Sequence, residues 1–349
     1  MAAPTRILPL VTWRLLAVLC VIVYHCGVKE LGPGSWFAVE LCFVMSGFLM
    51  MWHHADGIDG SYRQYAWRRA KRLFPLHWAV LAAMLLIFSL RPAFGTVPEW
   101  WVIVLNAALL QTFVPVHDVY YSINTYSWFI SALMFCYLVF PLLQRLLARI
   151  RLRWQLLLLM AMAALMITLD ATLNSRWREY LFVLPPVRML DFVLGMVLFR
   201  FYRALEVLDR QNAKYKAPGT VKATVLELAV IVFIVEMCII DWSSEVLRPY
   251  EDIILWWIPA SSVVLMCARL AGHEGLVGRL FSLRWLQWLG GATLEMYLLQ
   301  GVVPMLLTLT LLPLASHYGV NLDGYIIPLY VTAIVVTALA VNSLTRRKK

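Results

Sequence analysis

The chain is divided into apolar blocks of about 17 to 25 residues, separated by short basic stretches, and a helix of that length spans the ~30 Å hydrocarbon core of a bilayer. Lipid offers no partner for an unpaired backbone N–H or C=O. A crossing segment must therefore close its hydrogen bonds internally, as a helix, or around a closed barrel. Nothing in the blocks alternates with the two-residue period of a barrel strand. The sequence predicts an all-α polytopic membrane protein whose ten expected spans are 7–28, 35–53, 73–90, 126–144, 154–170, 184–200, 223–241, 252–270, 287–312 and 324–343.

A net charge of +10 fits either a nucleic acid or an anionic surface, so the positions of the bases decide. With the N-terminus inside, 23 of the 30 lysine and arginine residues fall on the inner side. Lys29, Arg91, Arg176, Arg178, Arg188 and Arg248 fall outside, and Arg14 lies within the first span. Cytoplasmic loops carry the basic excess, so both termini are expected in the cytoplasm, with membrane lipids and no nucleic acid as partners. One segment, VPEWWVIVLNAALLQTFVP at 97–115, has a short apolar core that contains Asn106 and Gln111. Were it to cross, the run from Arg145 to Arg153 would lie outside. It is expected to be re-entrant or interfacial on the outer face, where irregular backbone must be buried in protein or line a cavity.

The N-terminus resembles a leader, with Arg6 before an apolar run, but Arg14 interrupts that run and no small-residue cleavage site follows. A retained first helix is expected, in a single unit over 1–349 with no appended soluble domain. The six cysteines lie in apolar segments without metal-ligand spacing, as packing residues do, and no metal is expected. Outer-face aromatics, among them Trp100, Trp101, Tyr120, Tyr121, Tyr126, Trp177, Tyr180, Trp242 and Tyr250, suit either an interfacial belt or stacking on sugars.

Arg14 and His25 are eleven residues apart, which returns to within about 20° of one helix face and separates them by ~16 Å along the axis. A charge in the hydrocarbon costs on the order of 3 kcal/mol, so both should face the bundle interior, a wet cavity or a partner. The alternative is an Arg14 that snorkels to the inner surface and a His25 that is only hydrogen-bonded. If the first helix ends near Val28, Gly32-Pro33-Gly34 turns the chain and the second restarts near Ser35, then Glu40 lies at the depth of His25. A carboxylate there would orient the imidazole and raise its basicity, as a general base requires. A packing hydrogen bond between helices is the other reading. In SYRQYAWRRAKRLFPLHW, Arg69 and Arg72 share a face at i and i+3 and can clamp phosphate oxygens. Such a run is also an ordinary topology signal.

Four blocks resemble acyltransferase family 3, the integral-membrane acyltransferases that modify bacterial surface glycans and some small molecules. WRLLAVLCVIVYH resembles the first helix of the family, with its arginine and histidine at Arg14 and His25. VELCFVMSGFLM carries its acidic residue at Glu40 and its Ser-Gly-Phe at Ser46, Gly47 and Phe48. RRAKRLFPLHW carries its arginine pair and proline at Arg69, Arg72 and Pro75, and LGGATLEMYLLQ resembles the closing block at Gly290 and Tyr297. Weaker agreement falls at Trp128, Tyr137 and Pro141 and at Arg188, Asp191 and Gly195. Leu133 stands where many members have glutamate, and Gln300 where many have a late histidine.

The resemblance implies transfer of an acyl group, commonly acetyl, from cytoplasmic acyl-coenzyme A to a hydroxyl of a glycan or glycolipid acceptor in or across the bacterial inner membrane. On that basis His25 and Glu40 are the expected catalytic pair, with Arg14, Arg69 and Arg72 on the phosphates of the donor. Trp128, Glu295 and Tyr297 are the expected substrate-binding residues, Glu295 because an intramembrane glutamate is a functional candidate by default, although a hydrogen bond to a neighbouring helix is its plain alternative. Two other functions are compatible with the residues: acylation of a small molecule such as an antibiotic, and a transporter or flippase with a charged intramembrane path.

Overall fold

A computed structural model describes residues 6–212, 218–243, 255–319 and 321–346. Arg248 and Tyr250, the start of the expected 252–270 span and the last three basic residues of the tail lie outside the described residues. The described chain is helical throughout. Its first three helices are α1 (Leu8–His25), α2 (Gly32–His53) and α3 (Tyr62–Leu90). After two short helices, α4 (Trp100–Ala107) and α5 (His117–Tyr120), come α6 (Ser127–Arg149), α7 (Leu152–Thr172), α8 (Ser175–Val183) and α9 (Pro185–Gln211). The remainder is α10 (Thr220–Ser243), α11 (Trp257–Arg269), α12 (Leu276–Phe281), α13 (Arg284–Gly290), α14 (Thr293–Leu299), α15 (Val302–His317) and α16 (Ile326–Arg346).

Among the described residues seven helices are long and apolar enough to cross a membrane, and two bent pairs, α8 with α9 and α14 with α15, raise the number to nine if each is one span. The expected 287–312 span is thus three pieces, α13, α14 and α15, with a 58° bend between the last two. The expected 252–270 span corresponds to the 13 residues of α11.

The hairpin after α1 differs from the expected one. Gly32-Pro33-Gly34 does not form the turn but the first turn of α2, where proline costs nothing because its missing N–H has no partner in a helix start. Gly34 is needed for another reason: a Cβ there would stand 3.0 Å from the Cys20 Sγ of α1. With α1 ending at His25, Glu40 lies eight residues into α2, about 12 Å along the axis from an end to which His25 is already adjacent.

At the centre, α2 packs on α9 through two glycines. A Cβ at Gly47 would collide with the backbone oxygen of Phe192, and one at Gly195 with that of Val44. Beside this contact, Arg188, fully buried, bonds Glu40 Oε1 at 2.5 Å and Asp191 Oδ2 at 3.1 Å. Trp257 Nε1 donates to Asp191 Oδ1 at 2.7 Å, and the Phe182 ring lies 4.7 Å from the guanidinium. Arg188, counted in the sequence as an outer-face base, is therefore a core residue. At the periphery, Glu227 of α10 accepts the N–H groups of Gly275, Val277 and Gly278 at 2.9–3.0 Å and anchors the start of α12.

The 97–115 segment contains only the eight-residue α4 and a single 3-10 turn at Gln111–Phe113. Eight residues reach about 12 Å, well short of a bilayer core. The polar residues that made it a poor span hold its irregular backbone. Asn106 Nδ2 donates to Val102 O and Ser122 Oγ, and His77 Nε2 bonds Asn106 O at 2.8 Å. Gln111 Nε2 donates to Ser127 Oγ, while Ser131 bonds both Thr112 and the carbonyl of Leu109. Single cysteines placed at Thr96 and at His117 are expected to react equally with an impermeant thiol reagent in intact cells. Opposite accessibility would mean that the segment crosses.

Candidate active site

Arg14, on α1, and Arg69 and Arg72, on α3, line one cavity of about 120 Å³. Arg69 and Arg72 lie inside α3, which begins at Tyr62 under a capping box between Ser61 and Gln64, so the three-residue spacing does put both on one face. Arg69 donates to His54 Nε2 at 3.2 Å and sits 5.2 Å from each of the Tyr65 and Tyr137 rings. None of the three guanidinium groups has a carboxylate partner among the described residues, and no acid lines the cavity. Leu133, at the position where many family members have glutamate, is one of the lining residues. Three like charges around one cavity repel one another in a medium that screens poorly, an arrangement suited to a polyanion.

From the arginines the cavity extends along one face of α1 through Val18 and Val21 to the ring pair Phe129 and Tyr297, whose centroids are 4.9 Å apart. One turn beyond Val21 on the same face is His25. Equally, Tyr126 lies three residues before Phe129 and Gln300 three residues after Tyr297, and both touch His25. Its ring centroid is 4.5 Å from that of Tyr126, and its Nδ1 is 3.1 Å from Gln300 Oε1. Three elements thus pass from the cavity to the histidine in one step.

The expected His25–Glu40 pairing does not form. Glu40 is 1% exposed and bonded to Arg188, because the early start of α2 carries it to a different depth. The carboxamide of Gln300 occupies the position at His25 that was expected of Glu40. Tyr297 lines the cavity, whereas Trp128 and Glu295 do not. Trp128 is buried against Phe182, with centroids 5.0 Å apart. Glu295 Oε1 accepts from Asn342 Nδ2 at 2.9 Å and ties α14 to α16. The sequence left Gln300 without a role; its place at the family's late histidine was the signal that could have found it.

A family model described as an acyltransferase domain matches residues 11–347. The chain belongs to acyltransferase family 3. Acyltransferase MdmB of Streptomyces mycarofaciens is 31% identical over 206 residues, 54% of this chain and 50% of that protein. The chain therefore spans about half the length of the curated relative it matches. No solved structure matches. For this family 3 acyltransferase, the cavity and the histidine beyond it form the candidate active site.

Proposed function

We propose that this acyltransferase moves an acyl group, acetyl by preference, from acyl-coenzyme A to a hydroxyl of a glycan or glycolipid at the bacterial inner membrane, with both termini in the cytoplasm. The observation that carries the reading is the acid-free cavity with three guanidinium groups at one end and His25 one turn beyond the other. Coenzyme A is a phosphate-rich nucleotide on a thin thiol-bearing arm. Its phosphates match Arg69 and Arg72, with Arg14 deeper along the path, and the arm follows the apolar stripe of α1 towards His25. His25, half-buried at the end of α1, takes the proton of an acceptor hydroxyl arriving from the opposite side. Tyr24 and Tyr126 flank it there, offering rings on which a sugar can stack. No metal enters this scheme.

Arg69→Ala and Arg72→Ala are each expected to weaken coenzyme A binding, since a charged hydrogen bond contributes about 1.5–3 kcal/mol, more than tenfold in affinity. Titration calorimetry of the detergent-purified protein measures this. Wild-type affinity in both variants would reduce the run to a topology signal and remove the basis for a coenzyme A donor.

A further inference from the structure

Two amide side chains close to His25 are left open. Asn124 is 1% exposed, yet neither its Oδ1 nor its Nδ2 has a hydrogen-bond partner among the described residues. Buried amides are nearly always paired, and leaving one open destabilises a fold. Ile123, just before it, holds φ at 58°, a left-handed conformation that is an outlier for a β-branched residue and a form of stored strain. Gln300 is 3% exposed, and its Nε2 also lacks a partner among the described residues. The other end of that amide faces His25. Gln300 Oε1 carries no hydrogen, so the contact at 3.1 Å requires Nδ1 of the ring to hold the proton and donate it.

Both amides belong to one small region. Gly301 follows Gln300 at the break between α14 and α15, and a Cβ there would stand 3.3 Å from Asn124 Oδ1 and 3.0 Å from the Tyr126 ring. Tyr126 is the ring that lies against His25. The missing side chain of Gly301 is what lets Asn124 and Tyr126 approach the place where Gln300 holds the histidine.

On the acyl-transfer reading above, we infer that the side-chain N–H groups of Asn124 form the oxyanion site of the reaction, while Gln300, bound to the far nitrogen of the ring, positions the base. With Nδ1 protonated and bound to Gln300, Nε2 of His25 is the free base. The acceptor hydroxyl oxygen attacks the thioester carbonyl carbon while its proton passes to Nε2. The carbonyl π pair moves onto oxygen, which accepts N–H from the Asn124 amide. Collapse re-forms C=O and breaks the C–S bond, and the departing thiolate of coenzyme A takes the proton back from the imidazolium. A donor fixed in advance in a water-poor site acts most strongly on charge that appears only during reaction, and an amide already engaged elsewhere, as that of Gln300 is with the ring, could not serve.

The test uses the full chain in detergent and two probes, coenzyme A and S-carboxymethyl-coenzyme A, whose carboxylate carries negative oxygen where the oxyanion would form. Asn124→Ala should leave the affinity for coenzyme A within about threefold and weaken the carboxymethyl analogue by about tenfold or more. Asn124→Asp, of the same shape but without N–H donors, should bind the analogue no better than Asn124→Ala does. Thermal unfolding of Asn124→Ala should not fall below wild type, since an open buried amide has been removed. The wild-type ratio of the two affinities in Asn124→Ala would overturn this inference alone, and a lower midpoint beside it would make Asn124 a packing residue. Failure of wild type to bind either probe would overturn the coenzyme A reading itself.

Discussion

His25→Ala is expected to lower acyl transfer by about 10²–10⁴-fold, the usual contribution of a general base, with coenzyme A binding unchanged because the cavity ends one turn before the ring. Adding Glu40→Gln tests what Glu40 does. Bonded to a different partner, about two turns deeper in the bundle, Glu40 should act independently of the histidine, and the losses from the two changes should multiply. The measurement is the rate of coenzyme A release for the four members of the cycle. A double variant no slower than His25→Ala alone would show that the two residues work as one unit. A loss of only a few-fold in His25→Ala would remove the histidine from proton transfer.

Arg188→Ala should produce the largest loss of stability, about 3–5 kcal/mol, because it leaves the carboxylates of Glu40 and Asp191 buried without their cation. Lysine should rescue only part of this, since it keeps the charge but not the planar fork that reaches Glu40 and Asp191 together. Glu40→Gln should be milder, because the amide oxygen still accepts from the guanidinium. Thermal unfolding in detergent, read by tryptophan fluorescence, orders the three variants. Arg188→Ala with a midpoint equal to wild type would mean that the cluster contributes nothing to stability.

The helices and the arginine cavity were legible in the sequence because their determinants are local. Span length, the i,i+3 spacing of Arg69 and Arg72 and the eleven-residue stripe from Arg14 to His25 all follow from the geometry of single helices, and the cavity places Arg14, Arg69 and Arg72 together. The pairing of His25 was not legible. It depended on where α1 ends and where α2 starts: α1 stops at His25 rather than near Val28, and a Gly-Pro-Gly that serves equally as a turn or as a first helical turn carries Glu40 most of a further turn down, so the two residues lie about two turns apart in depth. Its actual partner lies 275 residues further along the chain, and that of Glu40 lies 148 residues away. No local periodicity encodes such distances. Glu295 and Trp128 were misleading in a simpler way. An intramembrane acid and a buried tryptophan satisfy helix packing as readily as they bind substrate, and here they link α14 to α16 and back the Phe182 ring.

The contact at Gly47 and Gly195 has a mechanical meaning. Where two backbones touch without intervening side chains, there is no compliant layer to shear. A slide of one residue along either helix would drive a Cβ into the carbonyl of the other. The helices α2 and α9 are thus a keel that moves as one body. Any opening of the cavity must come from its other walls, α1, α3, α6 and α14, swinging about that fixed pair. The 58° break after α14 is the natural place for such a swing to be taken up, directly beside the amide that holds the histidine.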